Sequence, residues 1–158
     1  MSFRFQFDAD VDLSEAGEDC QQFLSDVSDL EIGVGFNAKS GSYPDGTSVT
    51  MVAAWNELGT ENIPSRPFMR QMMEKEERNI NNYLKRYLKM ACTGDLTTEA
   101  ALDKIGNYLK YKIKESIREG EYEPNAPSTI AKKGSSVPLI DTRQMYRSVI
   151  YEVTGKTE

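Results

Sequence analysis

The chain has 158 residues, with 19 lysines and arginines against 25 aspartates and glutamates and a formal net charge of −6. That length fits one domain able to bury roughly two-thirds of its unfolded surface without covalent staples. Histidine is absent, which removes the commonest general base and metal ligand and, with them, Ser-His-Asp, Cys-His and His-bound zinc chemistry.

Two cysteines, Cys20 and Cys92, lie far apart and outside any C-x-x-C pattern, so neither a zinc site nor a disulfide framework is expected, and a reducing compartment suits the chain. No apolar run approaches the ~20 residues that span a bilayer, and MSFRFQFDAD lacks the layout of a signal peptide. Synthesis in the cytosol and no membrane partner are therefore expected. The charge is uneven. Residues 1–62 carry twelve acids against Arg4 and Lys39, a balance of −10, and residues 63–158 carry thirteen acids against seventeen bases, a balance of +4. Opposed faces of this kind suit head-to-tail self-association; two differently solvated surfaces are the plainer alternative.

Phe3, Phe5 and Phe7 alternate with polar residues, the period of a half-buried strand. A helix is expected next, capped by Asp12 with Glu15 reaching back, and with Leu13, Ala16, Cys20, Phe23, Leu24 and Val27 on one face. Residues 30–36 read as a strand with Leu30, Ile32, Val34 and Phe36 on one side and Gly33 and Gly35 on the other, where a backbone approaches closely. Residues 37–48 form a loop turning at Pro44-Asp45-Gly46, expected to project and move. VTMVAAWNELG (49–59) begins like a strand and ends like a short helix stopped at Gly59.

A two-proline loop leads to a long helix over about 67–92, with Pro67 in its first turn and Met69, Met73, Ile80, Leu84, Tyr87 and Ala91 as its apolar stripe. Met72 stays open between core and surface. Asp95 or Thr97 caps the next helix, whose Leu102, Ile105, Leu109, Ile113 and Ile117 hold the clearest periodicity in the chain before Gly120 ends it. Within the loop at 120–138, itself expected to be mobile, one helical turn is expected at STIAKKG, and a short helix from Asp141 and a closing strand follow. The outline is a single α+β domain, a small antiparallel sheet packed against two long helices with extended loops.

Phosphate-binding glycine loops are absent, and the acids show no metal-loop spacing, so no catalytic residue, metal ligand or cofactor is assigned. Lys110, Lys112, Lys114 and Arg118, interleaved with Tyr108 and Tyr111, have the makings of a nucleic-acid surface. Glu115, Glu119 and an acidic chain overall favour a solvated face instead.

Two segments are more specific. AAWNELGTENIPSRPFMR (53–70) and APSTIAKKGSSVPLIDTRQMYRSVIYEV (126–153) resemble the signature of the tail-completion, minor tail or neck proteins of tailed bacteriophages. The resemblance rests on Trp55, Asn56, Glu57, Gly59, Thr60, Pro64, Arg66, Pro67 and Phe68, then on Pro138, Leu139, Asp141 and Thr142. One departure stands out: Arg143 occupies a position where the family usually has glycine. Residue chemistry adds structural roles, with Trp55 as a buried anchor and Arg66 pairing with Glu57 at the start of the long helix.

The resemblance implies a virion protein without enzymatic activity or cofactor, made in the host cytoplasm and forming a ring of six copies in the phage neck. Its implied partners are itself, a tail terminator or tail-tube protein and head–tail connector proteins, with double-stranded DNA as passing cargo. The acidic portion, including Asp8, Asp10 and Asp12, would flank the channel, where repulsion keeps DNA from sticking; Lys132 and Lys133 are further candidate contacts. A tail terminator or head-closure ring is the nearest rival, and a DNA-binding packaging or regulatory factor is the rival of another class. An enzyme built on carboxylates and a metal is the third.

Overall fold

Strand pairing begins at the first residue. The Met1 amino group donates to Phe36 O (2.6 Å) and the Phe36 N–H donates to Met1 O (2.7 Å), a reciprocal exchange that marks an antiparallel ladder. The computed structural model describes residues 1–6, 20, 23, 25 and 27–155. Among them β1 (Ser2–Gln6), β2 (Glu31–Gly35) and β3 (Ile150–Thr154) form one sheet in the order β1-β2-β3. Central β2 is flanked on both edges, and Leu30, Ile32, Val34 and Phe36 are all buried, as their alternation predicts. Gly35 holds φ 140° where a Cβ would come within 2.6 Å of Met1 O, so the close approach expected at this glycine is real.

The helices are α1 (Val49–Leu58), α2 (Phe68–Cys92), α3 (Thr98–Glu119), α4 (Pro127–Lys133) and α5 (Gln144–Arg147), with a 3-10 turn at Ala38–Ser40. The architecture is α+β. Among the described residues no helix is long and apolar enough to cross a membrane. Asp12, Leu13, Ala16 and Leu24 lie outside the described residues; Cys20, Phe23 and Val27 are helical and buried.

Three expectations are corrected. The 49–58 stretch is helical throughout rather than half strand: Thr50 Oγ1 donates to Asn37 O (2.9 Å), and the Val52 N–H donates to Ser48 O (3.1 Å). Local bonds thereby override the β-branched residues at its start. The stripe of α2 is rotated by a fraction of a turn, so that Met69, Met72, Ile80, Leu88 and Cys92 are buried, while Met73, Leu84, Tyr87 and Ala91 are only partly covered. The 3.6-residue period left Met72 and Met73 nearly equivalent, and packing chose Met72. Finally, Cys20 and Cys92 are joined as a disulfide with Cα atoms 4.8 Å apart. Their sequence separation of 72 concealed a contact that only folding creates.

The chain divides into two compact units. The first comprises residues 1–2, 35–75 and 110–150, and α1 packs there against α5 and the 3-10 turn. Phe36 and Phe68 meet edge to face in it, with ring centroids 6.1 Å apart. The turn expected at Pro44-Asp45-Gly46 is present: Tyr43 N–H donates to Thr47 O, Thr47 N–H donates to Asp45 Oδ1 and Gly46 holds φ 84°.

The second unit comprises the described residues among 3–34, 76–109 and 151–158. Thr97 caps α3, its Oγ1 accepting the Ala100 N–H (3.2 Å), and Ala101, Leu102, Ile105 and Leu109 form a buried seam along the helix. Gly106 leaves room for the Tyr151 ring to lie on the helix, and the Tyr151 hydroxyl donates to Asp103.

Candidate functional site: a cleft built around Arg66

In the first unit two charged side chains are buried, and both belong to the 53–70 segment. Glu57, 2% exposed, lies on the inward face of α1. Its Oε2 accepts the Met69 N–H (2.8 Å) and its Oε1 accepts the Arg70 N–H (3.1 Å). A carboxylate on the free amides of a helix start satisfies orphan donors and complements the helix dipole. Arg70 Nε adds an ion pair to Oε1 at 3.1 Å. The expected pairing of Glu57 with Arg66 is thus corrected: Arg70, one turn into the helix, takes that place.

Arg66, 5% exposed, points elsewhere. Its Nε donates to Glu123 O (2.8 Å), Nη1 to Asn56 Oδ1 (3.3 Å), and Nη2 to Pro124 O and Asn125 Oδ1 (both 3.2 Å). All four acceptors are uncharged oxygens. Burial pulls the guanidinium below its ordinary pKa, with the charge of Glu123 opposing the shift. Buried Asn125 continues the chain of bonds, its Nδ2 donating to Val137 O (3.2 Å). One network thereby ties the 53–70 segment to 123–137.

These bonds floor a cleft of about 810 Å³. Trp55, Asn56, Pro64, Arg66, Lys133, Pro138, Leu139, Asp141 and Thr142 all line it, and Tyr43, Asn125 and Arg143 are also in its wall. Lys133 Nζ donates to Val137 O and Pro138 O (both 3.1 Å). Burial lowers the Lys133 pKa against the pull of Asp141; burial, then Asp141, raises that of Tyr43.

Glu57, Gly59, Thr60, Pro67 and Phe68 act behind the wall rather than in it. Thr60 Oγ1 accepts the Ile63 N–H (3.1 Å), and Gly59, at φ 80°, passes 3.0 Å from Ser65 N at its Cβ position. Phe68 is fully buried, Pro67 precedes α2, and Lys132 is exposed on α4. Asp8, Asp10 and Asp12 lie outside the described residues.

The protein-family models, the curated proteins and the solved structures compared with this chain give no match.

Trp55 is a correction as well: it is exposed at the lip of the cleft and is not the buried anchor expected from its small neighbours. The flanking Ala53 is the residue that packs inward. Sequence reasoning missed Asn125 and Arg70. The signal for Asn125 was an amide between two prolines, in a loop too polar to stand out.

Arg143 holds φ 62° and ψ 11°, the only described residue other than glycine with positive φ. This is the conformation that glycine takes most cheaply. Chemically the cleft offers a fixed cation, amides and apolar walls. Its guanidinium stays charged at any physiological pH, and its four oxygen partners fix its plane.

Proposed function

We propose that this protein is a structural subunit of the tailed-bacteriophage neck, which completes the tail or joins it to the head as a ring of its own copies around the DNA channel. One observation carries the reading. The two segments that bear the resemblance, distant in sequence, converge on one cleft and are bonded together through Arg66 and Asn125. A chance likeness of two stretches gives no reason for them to fold against each other. The left-handed backbone at Arg143, where the family usually has glycine, supports the same reading. Its residues serve docking, without enzymatic chemistry: buried charges brace a scaffold, and the cleft presents cations, amides and apolar walls.

The test is the composition of purified phage particles. Mass spectrometry detects the chain at several copies per virion, and cryo-EM places it in the neck. Its absence from particles that infect normally overturns the reading.

A further inference from the structure

The charge of α2 is divided along its length. Its acids, Glu74, Glu76 and Glu77, all precede Arg78; from Arg78 to Cys92 there are four bases and no acid. The helical period sets Arg78, Asn82, Lys85 and Lys89, spaced i, i+4, i+7 and i+11, on one stripe. All four are exposed, and Ile80 on the opposite face is buried.

Among the described residues the side chains of Arg78, Lys85 and Lys89 take part in no hydrogen bond or ion pair. Arg86, beside the stripe, and Lys104 from α3 lie over the Tyr87 ring, 5.7 and 5.8 Å from its centroid. That contact leaves their charge in place. The neighbouring acids are engaged or off the stripe. Glu76 accepts from Asn79 Nδ2 (2.8 Å), Asp95 accepts the Thr93 hydroxyl (2.7 Å), and Asp103 accepts that of Tyr151. Glu77 falls to one side by helical period, Glu99 stands in the first turn of α3, and Glu74 bounds the stripe one turn before Arg78.

The chemistry of the stripe selects its partner. It holds no apolar side chain, whereas protein–protein interfaces lean on apolar and aromatic anchors and are poor in lysine. Nucleic-acid contacts are polar and cationic, made largely by lysine, arginine and asparagine to phosphate oxygens. Lys85 and Lys89 are one turn apart, a rise of about 6 Å, comparable with the step between successive phosphates of one strand.

Resting on the reading of a ring around DNA, we propose that the Arg78–Lys89 stripe of α2 contacts the phosphate backbone of the duplex passing through that ring. The contact ignores base sequence and is weak in a single chain of net charge −6. Several copies in a ring sum it into a salt-labile hold past which DNA still slides.

Fluorescence anisotropy of a labelled duplex, titrated with the full chain over a range of salt concentrations, tests this. The wild type binds at low salt and loses affinity steeply as salt rises. Lys85→Gln/Lys89→Gln, made at exposed sites, weakens binding at least tenfold, flattens the log–log salt slope by about two and leaves the thermal midpoint unchanged. Arg147→Gln, a charge removed away from the stripe, keeps the wild-type slope.

Unchanged affinity and slope in the double variant overturn the proposal. So does an equal loss on Arg147→Gln, which reduces the binding to general charge attraction. Polyglutamate held more tightly than the duplex assigns the stripe to an acidic protein and also overturns it. A wild type that binds no duplex at low salt removes the DNA contact, and the neck reading then stands or falls separately on the composition of the particles.

Discussion

The two units are held by different physics. Among the described residues every buried polar or charged side chain, Ser40, Glu57, Arg66 and Asn125, belongs to the first unit. Among its described residues the second buries only hydrocarbon, sulfur and glycine, including Ile32, Val34, Ile80, Leu88, Leu102, Ile105 and the Cys20–Cys92 disulfide. Apolar burial is non-directional and tolerates small shifts, whereas a buried charge holds only while particular atoms stay bonded. The second unit should therefore resist a single polar deletion, and the first should not.

The largest effect expected on this contrast is covalent. Cys20→Ser removes a crosslink over 72 residues of separation, and loop-closure entropy puts the loss at about 4 kcal/mol. Urea unfolding of the variant and of reduced wild type should coincide; an unchanged midpoint under reductant shows that the bond contributes nothing.

Glu57→Ala comes next, at about 3 kcal/mol, because it strands two helix amides and removes a cap. Glu57→Gln, which keeps an acceptor, loses less. If both cost under about 1 kcal/mol, the first unit does not depend on its buried charge and the contrast fails.

Arg143→Gly acts in the opposite direction. Relief of the left-handed conformation outweighs the freedom glycine gains when unfolded, for a net stabilisation of up to about 1 kcal/mol. Thermal unfolding checks it, and a destabilised variant means that the arginine side chain supplies a contact worth more than the backbone cost.

The smallest effect is a titration in the second unit. Tyr83 stacks on Tyr108 with centroids 3.9 Å apart and touches Tyr87. Burial, then the hydrogen bond with Tyr87, pushes its pKa up to about 12. The folded value lies above the unfolded one of about 10. Its contribution is thus present in full below pH ~10 and is lost as pH rises through ~12. Tyr43 is among several tyrosines that ionise late, and Tyr83→Phe should remove the last step of the phenolate absorbance titration. If that last step survives the substitution, the burial of Tyr83 is not its cause.

How much of this was legible depends on how local the cause is. Leu102, Ile105, Leu109, Ile113 and Ile117 announced α3 because helix period and burial share one rhythm, and all five are buried. Leu30, Ile32, Val34 and Phe36 did the same for β2. The cleft was half legible. Its lining residues were picked out by resemblance, but their partners were not: Arg66 bonds across 59 residues to Asn125, and nothing near either residue encodes that. Trp55 was assigned to the wrong side of the surface, and Glu57 to the wrong partner, for a related reason. Hydrophobicity predicts the tryptophan inward and the acid outward; a helix start offering free amides reverses the preference for Glu57, and that start lies in another element.

By itself, then, the sequence determined the α+β class, the long helices, the turn at Pro44-Asp45-Gly46 and the absence of histidine chemistry, since each follows from the order of neighbouring residues. Tertiary structure alone decided the disulfide, the partners of Glu57 and Arg66, the choice of Met72 over Met73 and the exposure of Trp55. Each of these depends on which distant atoms arrive, and arrival is a property of the folded chain as a whole.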